Sequence, residues 1–366
     1  MPCGEGPREG VEVSDVPFRR RRWVRRTAAW TVAAALLAGG LFQVTGGYDS
    51  WRDDRALDSA CDGDLAAGAV RELFDGASLT SSSGWGGRGH CTVSASDDDV
   101  DAGLVLWSGR TEHLPGLEDT GGFDAPLGHG WTGSFRFDPD GEDRDEARAV
   151  LMLSCGERSG RGQVTTADAD LGRGGFDDPV ARERLVAVLT ETASAYARRT
   201  GCAARTGGRV EGVGVTTTLR DYKPVADATG SCAGVVDART AARWGVHTAR
   251  EITRDPAPLE NCALGGRSGT FLYGFTASYG PSAREARRRL DHRSDDHSPR
   301  RAGAYELTAR CPGAAGTALF QVETLHDEDD PESAAPDVDH EGLRAALQRF
   351  AERSAKKHGC GAVEGV

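Results

Sequence analysis

The chain has 366 residues and a formal net charge of −12, with 38% hydrophobic residues, 49 Gly and nine Cys. A body this acidic lacks the concentrated basic surface that nucleic acid requires, so no nucleic-acid partner is expected. The length admits two domains, each large enough to bury a core of its own.

Residues 1–26 carry seven Arg against Glu5, Glu9, Glu12 and Asp15, and read as a short cytoplasmic tail. The run from Arg19 to Arg26 stands directly before an uncharged stretch, residues 27–46. About 20 apolar residues is the length a helix needs to cross a bilayer, and a basic flank predicts that its N-terminal side stays in the cytoplasm. The expectation is a signal anchor: one transmembrane helix, a linker over 47–56, and an extracytoplasmic body at the cell membrane. A cleaved signal peptide is the rival, with Val44-Thr45-Gly46 as a poor cleavage site.

In an oxidising compartment the body's cysteines read as disulfides. They fall into two sets: Cys61, Cys91, Cys155 and Cys202, then Cys232, Cys262, Cys311 and Cys360. The first interval is 30 residues in both sets, and the last is 47 or 49. Both sets close alike, Ala197-Arg198-Arg199-Thr200-Gly201-Cys202 against Ala355-Lys356-Lys357-His358-Gly359-Cys360. This is a tandem duplication, with repeat 1 over 57–208 and repeat 2 over 209–366. Cys3 lies before the apolar stretch, on the reducing side.

Within each repeat the order is short helix, strands, long helix. Amphipathic stretches follow the first cysteine at Leu65–Phe74 and Asp237–Trp244, the second with Asp237 as N-cap. Strand-like runs occupy His90–Ser94, Gly103–Trp107, Ala149–Ser154 and Gly162–Ala167, then Asn261–Leu264, Thr270–Ser278, Ala304–Ala309 and Thr317–Thr324. The long helices, Pro179–Thr200 and His340–His358, place Leu185, Val186, Leu189, Ala193 and Tyr196, or Leu343, Leu347, Phe350 and Ala351, on one stripe. Each ends in a basic turn suited to the helix dipole and a Gly suited to a left-handed cap. The fold class is therefore α+β: a transmembrane helix, then two disulfide-stapled domains, each an antiparallel sheet packed with a short N-terminal and a long C-terminal helix. That geometry pairs Cys61 with Cys91, Cys155 with Cys202, Cys232 with Cys262 and Cys311 with Cys360. The additional residues of repeat 1 are expected within Glu112–Glu146, a further strand within Val213–Leu219, and a loop over Arg284–Arg301.

No residue stands out as a catalytic, cofactor-binding or metal-binding group. Gly84-Trp85-Gly86-Gly87-Arg88-Gly89 has dinucleotide-motif spacing but leads into a strand instead of a helix. Asp138 to Glu146, Asp97 to Asp101 and His326 to Asp330 are acidic runs that read as solvated loops, the first without EF-hand spacing. His292, Asp295, Asp296 and His297 have no counterpart in repeat 1, and His340-Glu341 lacks the second His of a zincin, since position 344 is Arg. No nucleophile elbow, no Ser-x-x-Lys and no Cys free to react is read in the chain, and Cys-x-x-Cys is absent, so no serine or thiol nucleophile is expected. The duplication keeps cysteines, a glycine cap and apolar stripes, and no polar constellation.

Cys232-Ala233-Gly234-Val235-Val236 and Asn261-Cys262-Ala263, with Cys61-Asp62-Gly63-Asp64-Leu65 less well, resemble the single-pass or lipid-anchored extracytoplasmic proteins of actinobacteria. The resemblance implies an α+β domain at the envelope and brings no activity with it. The expected function is a non-catalytic binding or scaffold role with a protein or cell-wall ligand. The alternative is an exported hydrolase using scattered acids such as Asp97 or Asp138.

Overall fold

A computed structural model describes residues 47–366, apart from 76, 83, 86–88, 98–99, 112–122, 157–160, 296–303, 325–338 and 366. Repeat 1 opens with two helices, α1 (Gly47–Gly63) and α2 (Ala67–Leu73). Seven strands follow: β1 (Ser78–Ser81), β2 (His90–Asp97), β3 (Val100–Arg110), β4 (Ala125–Pro126), β5 (Thr132–Phe137), β6 (Glu146–Ser154) and β7 (Gly162–Asp170). The long helix α3 (Pro179–Arg199) closes it. Repeat 2 runs β8 (Lys223–Pro224), α4 (Ala238–Arg243), β9 (Thr248–Glu251), β10 (Leu259–Gly265), β11 (Phe271–Ser278), α5 (Gly280–Asp295), β12 (Tyr305–Arg310), β13 (Thr317–Thr324), α6 (His340–Lys357) and β14 (Val363–Gly365).

Each repeat builds one seven-stranded sheet, ordered β1-β2-β3-β7-β6-β5-β4 and β14-β12-β13-β11-β10-β9-β8, with antiparallel pairing throughout. The duplication is visible in the middle of both. The order β2-β3-β7-β6 in repeat 1 matches β10-β11-β13-β12 in repeat 2, strand for strand. The edges differ: β1 and the β5–β4 pair extend the first sheet, β9–β8 and β14 the second.

Four disulfides join Cys61 to Cys91, Cys155 to Cys202, Cys232 to Cys262 and Cys311 to Cys360. The first of each repeat ties the N-terminal segment to β2 or β10. The second ties the end of β6 or β12 to the residue after the long helix. Asp178 and Asp339 cap α3 and α6, accepting hydrogen bonds from the main-chain N–H of Val180 and Gly342. Leu185, Val186, Leu189 and Ala193 are buried on α3, as are Leu343, Leu347, Phe350 and Ala351 on α6.

The fold-class expectation is corrected at its N-terminal part. Among the described residues no helix is long and apolar enough to cross a membrane, and what is described is α+β with two antiparallel sheets. The stretch on which the span was expected, 27–46, lies outside the described residues, as do the tail 1–26 and Cys3. Three local expectations are also corrected. Positions 47–56 belong to α1 instead of a linker. Much of Arg284–Arg301 is helical, because Pro281 suits a helix start and the following Ala, Glu and Arg are good helix formers. Val213–Leu219 forms no strand; it makes one isolated bridge, Thr217 to Phe123. The insertion in repeat 1 contains β5, which buries Phe135 and Phe137.

Residues Arg55–Val366 form one compact unit, and the reason lies in β6. Its run Ala149-Val150-Leu151-Met152-Leu153 is apolar on both faces of the strand. Ala149, Leu151 and Leu153 face the core under α3, whereas Val150 and Met152 join Trp107 and Val164 in the core of repeat 2. The seam is fixed by polar contact too: Ser154 Oγ accepts from the N–H of Ala314 at 3.0 Å. Gly313 there has φ +58°, and a Cβ on it would stand 2.2 Å from Ser154 Oγ, so only glycine fits. Between the repeats the Arg250 guanidinium also lies 3.9 Å from the centre of the Phe123 ring.

Candidate functional site

The densest polar cluster lies where α6 ends, and it begins with an anomaly in a strand. β10 is buried almost throughout, yet its second residue is Glu260, which is fully buried. A carboxylate there must be paired. The last turn of α6 supplies the partners, because Ser354, Lys357 and His358 are three and four residues apart and share one helix face. Ser354 donates its hydroxyl to Glu260 Oε2 at 2.7 Å, and Lys357 Nζ stands 2.7 Å from the same oxygen. His358 Nε2 meets Oε1 at 2.9 Å; since an ionised carboxylate only accepts, that nitrogen carries the proton. With the Ser354 proton committed, Tyr279 must donate its own across the 2.5 Å contact to Ser354 Oγ. The Tyr279 ring stacks on His358, centroids 3.6 Å apart and planes 19° from parallel.

Burial alone would raise the carboxyl of Glu260. The hydrogen bond from His358 and the neighbouring charge of Lys357 outweigh it and hold the group below its ordinary value. Tyr279 moves the other way: burial first, then the charge of Glu260, push its hydroxyl well above the usual range. The cluster is thus a carboxylate that stays ionised beside a phenol that stays neutral.

Over this floor opens a pocket of about 610 Å³, lined by Gly230, Ser231, Arg254, Phe350, Arg353 and Lys356 among others. Its far wall is the turn before Cys232. Glu251 secures that turn, accepting from the N–H groups of Thr229 at 2.8 Å and Cys232 at 3.0 Å while Lys223 holds it at 2.6 Å. Ser231 Oγ donates to the carbonyl of Asn261 at 2.5 Å. A Cβ on Gly230 would come within 1.9 Å of the Ile252 carbonyl oxygen, so the turn requires glycine.

The residues of the sequence candidates are used otherwise. Asp138 Oδ1 accepts from the N–H of Asp140 and of Gly141, each at 3.0 Å, which closes a turn, and Asp140 pairs with Arg220 at 3.0 Å. His340 Nδ1 contacts the Tyr305 hydroxyl at 2.5 Å, and Arg344 stands over the same ring. Trp85, inside the glycine-rich run, is buried and donates to Asp64 at 2.8 Å; the run lies in sequence between the antiparallel strands β1 and β2, and 86–88 are outside the described residues. Among the described residues no three His, Cys, Asp or Glu side chains converge as a metal site. Asp98, Asp99, Asp296, His297 and 326–330 lie outside the described residues, as do the side chains of Asp97, Asp101, His292 and Asp295.

Sequence reading missed this cluster, although two signals were present. Glu260 is an acid in an apolar run two residues before Cys262. Ser354-Ala355-Lys356-Lys357 satisfies Ser-x-x-Lys spacing, which corrects the expectation of a chain without a serine-nucleophile motif. Comparisons with protein-family models, with curated proteins and with solved structures find no match for this chain.

Proposed function

We propose that the chain is a non-catalytic binding or scaffold protein whose body stands in an oxidising, extracytoplasmic compartment at the bacterial cell envelope. Disulfides in both repeats support that compartment, since a reducing cytosol does not sustain them. The ligand is a protein or cell-wall component, and the pocket beside α6 is where it is held.

The observation that carries the non-catalytic reading is the position of Glu260 between Ser354 and His358. A serine nucleophile needs its base against the hydroxyl, with a third group orienting the base. Here His358 and Lys357 both face the carboxylate, and the hydroxyl faces it as well. Glu260 itself, held below the ordinary carboxylate range, is a weak base for the serine proton. The hydrolase alternative draws no support from Asp138, whose Oδ1 closes a turn.

The test is incubation of the full-length protein with isolated cell-wall material and, separately, with a fluorophosphonate serine probe. The expected result is retention on the wall without release of soluble fragments, and no labelling. Fragment release lost in Glu260→Gln, or probe labelling lost in Ser354→Ala, would establish the hydrolase instead.

A further inference from the structure

We propose that the pocket beside the end of α6 binds a phosphoryl group. This rests on the binding reading above and gives the ligand its chemistry. Arg254, Arg353, Lys356 and Lys357 line the pocket, with Glu260 as the carboxylate on its floor. Four cations against one anion leave a surplus of three positive charges, in a chain whose net charge is −12.

Those charges are not equally available. Lys357 is spent on Glu260. The two arginines are not spent: Arg254 Nε donates to the Thr229 carbonyl, and Arg353 reaches the Gly230 carbonyl at 3.5 Å. Carbonyl oxygens orient a guanidinium without neutralising it. Among the described residues no carboxylate stands within ion-pair distance of either. The nearest candidate, Glu251, is held by Lys223 and two main-chain N–H groups behind the wall. Burial first, and then the charge of Arg254, make Arg353 easier to deprotonate than an ordinary arginine. Two exposed cations kept side by side repel one another, and an anion between them removes that penalty.

The wall whose carbonyls orient them is rigid. The Cys232–Cys262 bond, the Glu251 clamp, the Ser231 contact and the close approach at Gly230 all fix the turn 229–232. A ligand therefore meets a preformed site and spends little free energy ordering it. Charge selects the class of anion. A carboxylate brings one negative charge and would leave two cations unmatched, whereas a phosphate monoester brings about −1.5 to −2 with three acceptor oxygens. Guanidinium forks match that geometry. Phe350 and Ala233 offer an apolar side to whatever carries the phosphoryl group, and about 610 Å³ admits more than bare phosphate.

Calorimetric titration of the full-length, disulfide-intact protein tests this with inorganic phosphate, with acetate, and with vesicles containing phosphatidic acid, whose headgroup is a phosphate monoester, or phosphatidylcholine alone. Phosphate is expected to bind and acetate to bind more weakly. Affinity should fall at least about tenfold in Arg254→Gln/Arg353→Gln, less in Lys356→Gln, and stay unchanged in Arg198→Gln of repeat 1. Stronger binding to phosphatidic acid vesicles than expected from free phosphate would assign the group to a lipid headgroup; phosphate binding without vesicle binding would assign it to a soluble phosphate monoester. Acetate binding as tightly as phosphate, or phosphate binding indifferent to Arg254, Arg353 and Lys356, would overturn the proposal. So would absence of phosphate binding, and if cell-wall retention persisted in that case the binding reading would stand without it.

Discussion

The two repeats share a frame and differ in what they do with one buried carboxylate. In repeat 2, Glu260 on β10 pairs with Lys357, three residues before the closing cysteine. In repeat 1 the matching position before Cys202 is Arg199, and it too holds a buried acid, Asp64, at 2.7 Å. The cation is kept; the acid comes from a different place. Asp64 follows Cys61 by three residues, while the position that matches Glu260 is Gly89. Where repeat 2 has Ser354 and His358, repeat 1 has Tyr196 and Thr200. Trp85 then fills the space: it donates to Asp64 and packs edge-on against Tyr196, centroids 5.3 Å apart. The difference teaches that the frame needs a charge lock between the long helix and the rest of the repeat. Which side chains complete that lock decides whether an aromatic closes it or a pocket lies open over it.

The strongest way to sharpen the comparison is to cut equivalent staples. The helix-closing bonds span 47 residues in repeat 1 and 49 in repeat 2, so loop entropy assigns each about 4 kcal/mol. Replacing Cys155 and Cys202 by Ser should therefore cost much the same in denaturant unfolding as replacing Cys311 and Cys360. A large inequality would mean the two frames are not equivalent.

The charge lock should be less even. Glu260→Gln removes the partner of the half-buried Lys357 and of His358, and is expected to cost about 3 kcal/mol. Asp64→Asn, facing the more exposed Arg199, should cost about 1 kcal/mol. Comparing the two unfolding midpoints checks the ranking, and equal losses would break the contrast.

The seam between repeats comes next. Gly313→Ala forces a Cβ against Ser154 and demands a left-handed backbone, so a loss of about 2 kcal/mol is expected. The informative readout is cooperativity: wild type should unfold in one transition, and the variant should begin to separate into two.

The smallest effect is the response to acid. Glu260 and Glu251 both have folded-state pKa values below the ordinary one, despite a burial penalty in each that acts the other way. Their contribution is present above the unfolded carboxylate value, about 4.3, and is lost as pH falls through the lower folded values. Thermal stability should decline across that acidic window, and the decline should be shallower in Glu260→Gln.

How far the sequence could be read follows from what its patterns encode. Cysteine spacing, apolar stripes and caps are local or periodic, so the strands around Cys91 and Cys262 and both long helices were legible. Val150 and Met152 were not read as a second buried face, although the unbroken run from Ala149 to Leu153 shows that β6 has no solvated side. The contact of β6 with both cores, which makes Arg55–Val366 one compact unit, was therefore not legible. The cluster beneath the pocket was illegible for a different reason. Glu260 and Ser354 lie 94 residues apart, and only the register of β10 against the last turn of α6 brings them together. The basic turn Lys356-Lys357 was read as serving the helix dipole, and its second role needs the fold.

The most direct test of the account is retention on isolated cell-wall material, comparing wild type with one matched change in each repeat. Arg254→Gln/Arg353→Gln alters the pocket of repeat 2, and Arg198→Gln alters the position in repeat 1 that corresponds to Lys356. The account predicts that the repeat 2 variant loses retention while the repeat 1 variant keeps it. Equal retention by both variants, or loss confined to Arg198→Gln, would contradict it.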